Sequence, residues 1–146
     1  MLSNFKNWII ENTGFQLHLI HPLGFSMDDK LLRRAGLDYH EWAQVREYPN
    51  FDAYLATQAP RRILAFSTKG SICYTKVCFQ LGDVLLFGPE TRGLPAAILY
   101  SLPLDQRLFL PMQPHNRSLN LSNAVAIAAF EAWRQLDFMH FVGLPS

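Results

Sequence analysis

The sequence has few of the features that mark secreted, zinc-binding or membrane-spanning proteins. Only two cysteines, Cys73 and Cys78, occur in 146 residues. Two are too few for a disulfide framework, and nothing near them completes a zinc quartet, so we interpret both as reduced thiols. No apolar run reaches the length of a membrane helix, and the N-terminus lacks the pattern of a signal peptide. We therefore expect a cytoplasmic protein.

Several motifs of common enzyme classes are also missing. No G-x-G-x-x-G follows a predicted strand, and no G-x-x-x-x-G-K-[ST] is present, which argues against dinucleotide and P-loop nucleotide binding. The absence of G-x-S-x-G argues against a hydrolase of the nucleophile-elbow type. The five histidines are scattered, and His18 and His21 stand across a predicted strand end. We expect no metal site.

The composition is that of an ordinary folded domain. Hydrophobic residues make up 49% and charged residues 17%, and the length is sufficient for one domain, residues 1–146, with its own core. The net charge of +1 gives no overall field that would attract or repel nucleic acid. Any surface for a charged partner must therefore be local.

Strand-like and helix-like segments alternate along the chain. The predicted strands are residues 16–20, 42–47, 63–68, 84–88 and 107–112. The predicted helices include 51–58, 94–102 and 120–136. Strands separated by helices predict βαβ units, and hence an α/β fold with a mostly parallel sheet.

Three of the predicted strand ends carry turn-forming or polar residues. These ends are residues 67–70, 88–93 and 111–120. In parallel sheets, ligands bind outside the carboxyl ends of the strands, although each end alone could be a plain connection. The third end is dense in hydroxyl, amide and guanidinium groups, more than one helix N-cap requires. These groups belong to Arg117, Ser118, Asn120, Ser122 and Asn123.

A basic stretch precedes an aromatic cluster in the first half of the chain. Lys30, Arg33 and Arg34 are followed by Tyr39 and His40. The basic residues could form a solvated helix face, or they could bind RNA phosphates beside the aromatic rings. The sequence leaves both interpretations open.

Taken together, the motifs resemble those of a known enzyme superfamily. LGDVLLFGPETRGLP, followed by LFLPM and RSLNLSNAVAIAAFEAWRQL, resembles the second and third motifs of the SPOUT methyltransferases. DDKLLRRAGLDYHEW resembles the subfamily that methylates the ribose 2′-hydroxyl of the wobble cytidine or uridine in leucine tRNAs. The resemblance implies a mostly parallel sheet flanked by helices, with a deep C-terminal trefoil knot. It also implies S-adenosylmethionine as cofactor and the anticodon loop as substrate.

The resemblance further implies which residues hold the cofactor. The loop after the strand at 84–88 would wrap S-adenosylmethionine, and its glycines, Gly88 and Gly93, can take positive φ and let backbone come close to the ligand. The adenine would be held mainly by backbone groups. The implied cofactor residues are Phe66, Thr68, Gly88, Glu90, Gly93, Leu110, Met112, Ser118 and Asn120.

Catalytic, RNA-binding and assembly roles follow from the same resemblance. Arg117, Ser118 and Asn120 are the expected catalytic group. Arg92 and Lys69 are further cations that could stabilise an alkoxide or hold a phosphate. Glu90 could orient an arginine or form a purely structural ion pair.

The implied RNA-binding residues are Lys30, Arg33, Arg34, Tyr39 and His40. A homodimer packed through the helix at 120–136 is expected, unless the alanines of that helix face the domain's own core.

The sequence departs from the family pattern at its N-terminus. The family opens with a strand and a P-x-N-T-G-N-I-I-R motif, whereas Trp8 stands where the arginine is expected. We therefore expect a domain truncated at its N-terminus. This leaves two hypotheses: an active tRNA 2′-O-methyltransferase, or a non-catalytic knotted module that binds cofactor or RNA.

Overall fold

The computed structural model of the chain describes residues 15–21, 45–89, 93–114 and 120–141. The strands in these ranges are β1 (His18–Ile20), β2 (Arg46–Tyr48), β3 (Ile63–Phe66), β4 (Ile72–Cys73), β5 (Val84–Phe87) and β6 (Arg107–Phe109). The α-helices are α1 (Phe51–Gln58), α2 (Ala96–Leu99) and α3 (Leu121–Gln135), and two 3-10 helices span Tyr74–Lys76 and Leu104–Gln106.

Four of the strands form one parallel sheet in the order β4-β6-β3-β5. The last of these strands in sequence, β6, therefore lies between β3 and β4, which follow one another along the chain. Residues 67–71 connect β3 to β4 and must cross β6 to do so. This crossing is the feature of the fold that shapes the candidate site.

The core lies where β3 and β6 pack against α3. All four residues of β3 are buried, as expected for a central strand of a parallel sheet covered on both faces. The buried cluster joins strand residues Leu64, Phe66 and Leu108 to helix residues Ala128 and Ala132. The small alanines let the helix backbone lie close to the sheet.

The other two strands form a separate parallel pair, β1 with β2, covered by α1. The Gln58 amide donates to the Tyr48 hydroxyl (2.8 Å), which lies 3.0 Å from His18 Nδ1. The Tyr54 ring packs edge-on against both the His18 and Tyr48 rings. Burial, and then the charge of Arg46, lower the pKa of His18 below its ordinary value. His18, Tyr48 and Tyr54 therefore form a small cluster of packed rings, in which His18 and Tyr48 are also hydrogen-bonded.

Two arginines form hydrogen bonds at the amino edge of the four-stranded sheet, the end at which its strands begin. Arg62 donates from Nε and Nη2 to both carboxylate oxygens of Asp83 (2.8 and 2.6 Å) and from Nη2 to the Cys78 carbonyl. Arg107 donates to the carbonyl of Leu102 and lies over the Tyr100 ring. These charge-assisted bonds fix the chain where it enters β3, β5 and β6.

The end of α3 is closed by an unusual turn. Trp133 donates from Nε1 to the Met139 carbonyl (2.9 Å) and packs edge-on against Phe138. Asp137, Phe138 and His140 all have positive φ, a conformation that costs non-glycine residues about 1 kcal/mol or more each. The indole hydrogen bond and the aromatic contact offset this strain.

The predicted elements agree with the structure in kind, although several differ in extent. The helix predicted at 94–102 is shorter, because only Ala96–Leu99 is helical. The strand predicted at 107–112 ends at Phe109, and the one predicted at 42–47 is β2, Arg46–Tyr48. The sequence did not predict β4, which has only two residues. Both thiols are free, as predicted.

The alanines of α3 face inward. Ala128, Ala129 and Ala132 are buried within the chain, so they are not available for close helix approach across a two-fold axis. The sequence left open whether these alanines pack in a dimer interface or in the domain's own core, and they pack in the core. None of the helices in the described ranges combines the length and apolarity needed to cross a bilayer.

Candidate active site

The carboxyl ends of the neighbouring strands β6, β3 and β5 lie side by side. This end of the sheet is its carboxyl edge, and the opposite end, where the strands begin, is its amino edge. The three strands are neighbours and run parallel, so the segments that follow them leave the sheet at the same edge. The sequence predicted that the three ends 67–70, 88–93 and 111–120 would line up, and this prediction is confirmed for their described parts. The edge is the candidate active site.

The segment after β3 crosses the backbone of β6 at very short range. Ser67 donates its N–H to the Leu108 carbonyl (2.9 Å), and Ser71 donates to the Arg107 carbonyl (2.8 Å). A Cβ on Gly70 would lie only 2.2 Å from the Leu108 carbonyl oxygen. No residue larger than glycine fits there, because the obstacle is backbone and cannot rotate away. The segment 67–71 is therefore a tight arch over β6.

Two hydrogen bonds within the arch fix its shape. The Ser67 hydroxyl accepts from the Lys69 N–H (3.1 Å), and the Ser67 carbonyl accepts from the Gly70 N–H (3.0 Å). Thr68 and Lys69 are exposed at the top of the turn. Thr68, one of the implied cofactor residues, thus lies at the predicted edge.

The segment after β5 folds back on itself. Gly93 donates its N–H to the Pro89 carbonyl (2.8 Å), and a Cβ on Gly88 would lie 2.2 Å from both Gly93 C and Leu94 N. Gly93 has a φ of +69°, whereas Gly88 does not have positive φ. The expectation of positive φ is confirmed for Gly93 and wrong for Gly88. Gly88 instead lies against the backbone of Gly93 and Leu94, and the close approach of its backbone to a ligand stays a prediction.

The segment after β6 leads into α3. Leu110 and Met112 follow the strand and are half-buried at the same edge. Asn120 is the N-cap of α3, and its Oδ1 accepts from the Ser122 N–H (2.9 Å). The side chain of Asn120 is thereby held in one orientation where the helix begins.

Phe66 can reach a ligand only through its backbone. Its ring is buried in the core and stacks on Phe87, with centroids 4.8 Å apart and planes 13° apart. The resemblance implied that backbone groups hold the adenine, and the packing of Phe66 is consistent with this. The stacked rings of Phe66 and Phe87 also make the core beneath this edge apolar and rigid.

Several residues implied in the sequence analysis lie outside the described ranges. These are Trp8, Lys30, Arg33, Arg34, Tyr39, His40, Glu90, Arg92, Arg117 and Ser118. Their roles remain predictions. In the parts of the chain that the structure describes, no group of three or more His, Cys, Asp or Glu side chains is placed to hold a metal ion.

Two features of the edge were missed by the sequence analysis. The first is the tight crossing at Gly70, which the sequence marked only as the end of a strand. The second is β4, whose carboxyl end lies at the same edge beside Phe109. Hydrogen bonding to Thr75 lowers the pKa of Cys73, the last residue of β4. The S-x-K-G turn could have shown a rigid corner at Gly70, but no signal marks a strand as short as β4.

Comparison with known proteins identifies what the chain is similar to. Residues 9–130 match the model of the SpoU rRNA Methylase family. A curated protein of Aeromonas hydrophila, named tRNA (cytidine(34)-2′-O)-methyltransferase, is 58% identical over 127 residues, which cover 87% of this chain and 81% of that protein.

Two solved structures share the fold. One, concerned with 2-OH methylation of C/U34 on tRNA, is 41% identical with a TM-score of 0.79, and the match covers 94% of this chain and 91% of that one. The other is an AdoMet-bound rRNA methyltransferase from Sinorhizobium meliloti, 23% identical with a TM-score of 0.74, covering 92% of this chain and 52% of that one.

Proposed function

This chain belongs to the SpoU methylase family, and we propose that it methylates the ribose 2′-hydroxyl of the wobble nucleoside in a tRNA, with S-adenosylmethionine as methyl donor. The relative from Aeromonas hydrophila is named for 2′-O-methylation of cytidine 34 in tRNA. We further propose that the wobble cytidine or uridine of leucine tRNAs is the target and that the protein acts in the cytoplasm.

The observation that carries the proposal is the meeting of three strand ends at one edge of the sheet. A bent cofactor needs several loops that approach it from different sides, and neighbouring parallel strands supply them. Two of these loops contain a glycine pressed against backbone, Gly70 and Gly88. Their close packing makes the edge a preformed surface rather than a set of loose connections.

The described residues at this edge fit the cofactor's adenosine part. Leu94, Leu110 and Met112 are half-buried and apolar, which suits the faces of an adenine ring. Exposed backbone of the same loops can pair with its polar edge, as small-ligand sites commonly do. We propose Phe66, Thr68, Gly88, Gly93, Leu110, Met112 and Asn120 as described cofactor residues, joined by Glu90 and Ser118 from outside the described ranges.

The chemistry requires little from the protein beyond placement and charge. When bound, S-adenosylmethionine supplies a methyl group activated by the sulfonium. The chain must align the ribose oxygen with that methyl and stabilise the oxygen as it loses its proton. We assign the stabilising charge to Arg117, and the alignment of ribose and cofactor to Ser118 and Asn120.

The RNA enters as a single-stranded loop whose bases are splayed outward, the form in which RNA is usually read by sequence. We propose that Lys30, Arg33 and Arg34 bind phosphates of this loop and that Tyr39 and His40 stack on its bases. These residues lie in the region that resembles the wobble-methylating subfamily.

We also propose that the arch over β6 is part of a trefoil knot. Since β6 passes between β3 and β4 under residues 67–71, the chain that follows β6 leaves on the far side of the arch. Knotted chains are rare, and the arch supports the knot that the resemblance implies.

A homodimer is proposed from the surface at the end of α3. Because the helix alanines are buried, the contact must use other residues. Phe138, Met139 and Phe141 (57% exposed) are exposed apolar residues in the turn after α3, and Ile127 (37% exposed) is exposed on the helix itself. Exposed apolar side chains of this kind commonly mark protein interfaces. We expect light scattering to give about twice the chain mass of 16.7 kDa.

Charge introduced into this surface should separate the subunits. Ile127→Glu with Phe141→Glu should yield a monomer, because carboxylates do not pack in an apolar interface. Leu104→Glu is the matched control, since Leu104 is equally apolar and 63% exposed elsewhere, and it should remain dimeric. A wild-type monomer at tens of micromolar would contradict the dimer.

The proposed function is tested by transfer of labelled methyl from S-adenosylmethionine to an anticodon stem-loop of leucine tRNA. We expect label in a stem-loop with a normal wobble ribose. A stem-loop with 2′-deoxyribose at that position alone should take up none, because it lacks the nucleophile. Folded protein that transfers no label would overturn the proposal. Cofactor binding by calorimetry without transfer would instead favour the non-catalytic module.

A further inference from the structure

We propose that Ser67 is a positioning residue for the cofactor site, because its hydroxyl sets the direction of the peptide group between Thr68 and Lys69. The inference rests on the proposed function and adds to it the group that the arch presents to the cofactor, which is the Thr68 carbonyl. Ser67 follows directly after β3, so it is the first residue of the arch.

The backbone hydrogen bonds of the arch fix its two ends but not its middle peptide. Ser67 donates its N–H to the Leu108 carbonyl, and Ser71 donates to the Arg107 carbonyl. The Gly70 N–H closes the turn on the Ser67 carbonyl at 3.0 Å. None of these bonds involves the peptide group between Thr68 and Lys69, so the orientation of that peptide depends on a side chain.

The Ser67 hydroxyl supplies this constraint. Its Oγ accepts from the Lys69 N–H at 3.1 Å, a local bond that serine commonly forms with the backbone two residues on. A trans peptide directs its N–H and its carbonyl in opposite directions. Because the Lys69 N–H points toward the Ser67 hydroxyl, the Thr68 carbonyl points away from it.

The backbone of the turn agrees with this direction of the carbonyl. Thr68 and Lys69 are the two central residues of the turn, and the type II turn, in which the middle peptide is reversed, requires positive φ at the second of them. Lys69 does not have positive φ. Reversal of the peptide would impose the strain of a left-handed backbone on a lysine, so the observed orientation is the favoured one.

The Thr68 carbonyl is placed to accept a hydrogen bond from a ligand. Thr68 is exposed at the carboxyl edge, and among the residues that the structure describes no N–H or hydroxyl group donates to this carbonyl. S-adenosylmethionine offers matching donors, which are the adenine amino group, the ribose hydroxyls and the methionine ammonium. A carbonyl already held in one direction binds such a donor without the entropic cost of ordering the peptide.

The test compares the binding of S-adenosylhomocysteine by Ser67→Ala and by the wild type, measured by calorimetry. Loss of the hydroxyl should raise Kd by about 3- to 10-fold, which is the effect of about one hydrogen bond. In the transfer assay described above, the KM for S-adenosylmethionine should rise by the same factor. The value of kcat and the KM for the stem-loop should change little, because the hydroxyl acts only through the peptide that faces the cofactor.

A second titration identifies which donor of the cofactor the carbonyl binds. 5′-Methylthioadenosine has the adenine and the ribose but lacks the amino-acid part. If Ser67→Ala weakens the binding of this compound as much as that of S-adenosylhomocysteine, the donor is the adenine amino group or a ribose hydroxyl. If it weakens only the binding of S-adenosylhomocysteine, the donor is the ammonium.

Two further variants separate positioning from a purely structural role. Ser67→Thr keeps the hydroxyl and should restore the affinity of the wild type. Ser71→Ala is the matched control, because it removes an exposed hydroxyl of the same arch that forms no side-chain hydrogen bond within the described ranges. This control should bind the cofactor as tightly as the wild type does.

An unchanged Kd in Ser67→Ala, beside a wild type that binds and transfers, would overturn the inference alone. A loss of affinity that Ser67→Thr does not restore would also overturn it, because the hydroxyl would then not be the cause. A wild type that binds no cofactor would overturn the proposed function and this inference with it.

Discussion

Gly70→Ala should strongly lower the free energy of unfolding of the protein. The added Cβ would lie 2.2 Å from the Leu108 carbonyl oxygen and 2.7 Å from the Phe109 nitrogen, and both atoms belong to the strand that the arch crosses. Backbone of a paired central strand cannot shift without breaking its hydrogen bonds. We expect a loss of about 3 kcal/mol or more, which is roughly 10 °C in Tm for a chain of this size. Thermal unfolding followed by circular dichroism measures it.

Gly82→Ala is the matched control for this steric effect. Gly82 has a φ of +87°, but no atom lies within 4 Å of the Cβ it would gain. Its substitution adds only conformational strain, about 1–2 kcal/mol. Equal losses for the two variants would mean that the arch can move away from β6 and that the crossing is not rigid.

Gly88→Ala should abolish cofactor binding while the core remains folded. The new Cβ would lie 2.2 Å from Gly93 C and Leu94 N, so the loop after β5 would have to open. Displacement of about 1 Å in a site that works by positioning can cost about a hundredfold in rate. We expect no measurable heat with S-adenosylhomocysteine and a fall in methyl transfer of at least that size, with Tm followed in parallel.

Gly93→Asn is the matched control, because it adds a side chain to the same loop at a position where there is room for one. Gly93 has positive φ and open space around it, and asparagine tolerates that conformation better than most residues. This variant should keep most of the cofactor affinity. If Gly88→Ala binds the product as tightly as the wild type does, the loop after β5 does not form the cofactor site.

The parts of the fold that could be predicted are those with a local cause. Helix α1 begins where expected because Asn50 caps it, its Oδ1 accepting from the Ala53 N–H at 2.8 Å. The three strand ends meet because parallel strands share a carboxyl edge, and their apolar runs were visible in the sequence. The shared carboxyl edge of these strands was enough to predict where the candidate site lies.

The parts that could not be predicted depend on which segments become neighbours. Nothing in the pattern of β6 shows that it lies between β3 and β4. A glycine that needs positive φ and one that has no room for a Cβ look the same in a sequence, which is why the expectation of positive φ at Gly88 was wrong. The alanines of α3 would suit a core or a dimer interface equally well.

The position of β6 also sets the order in which the sheet can be completed during synthesis. The only strand recorded as a partner of β4 within the described ranges is β6, and Ile72 pairs with Leu108. At the ribosome, β4 therefore emerges well before the strand it must pair with, and it has no place in the sheet until Phe109 has been made. The position between β3 and β4 is thus filled by the last of the four strands of this sheet to be made.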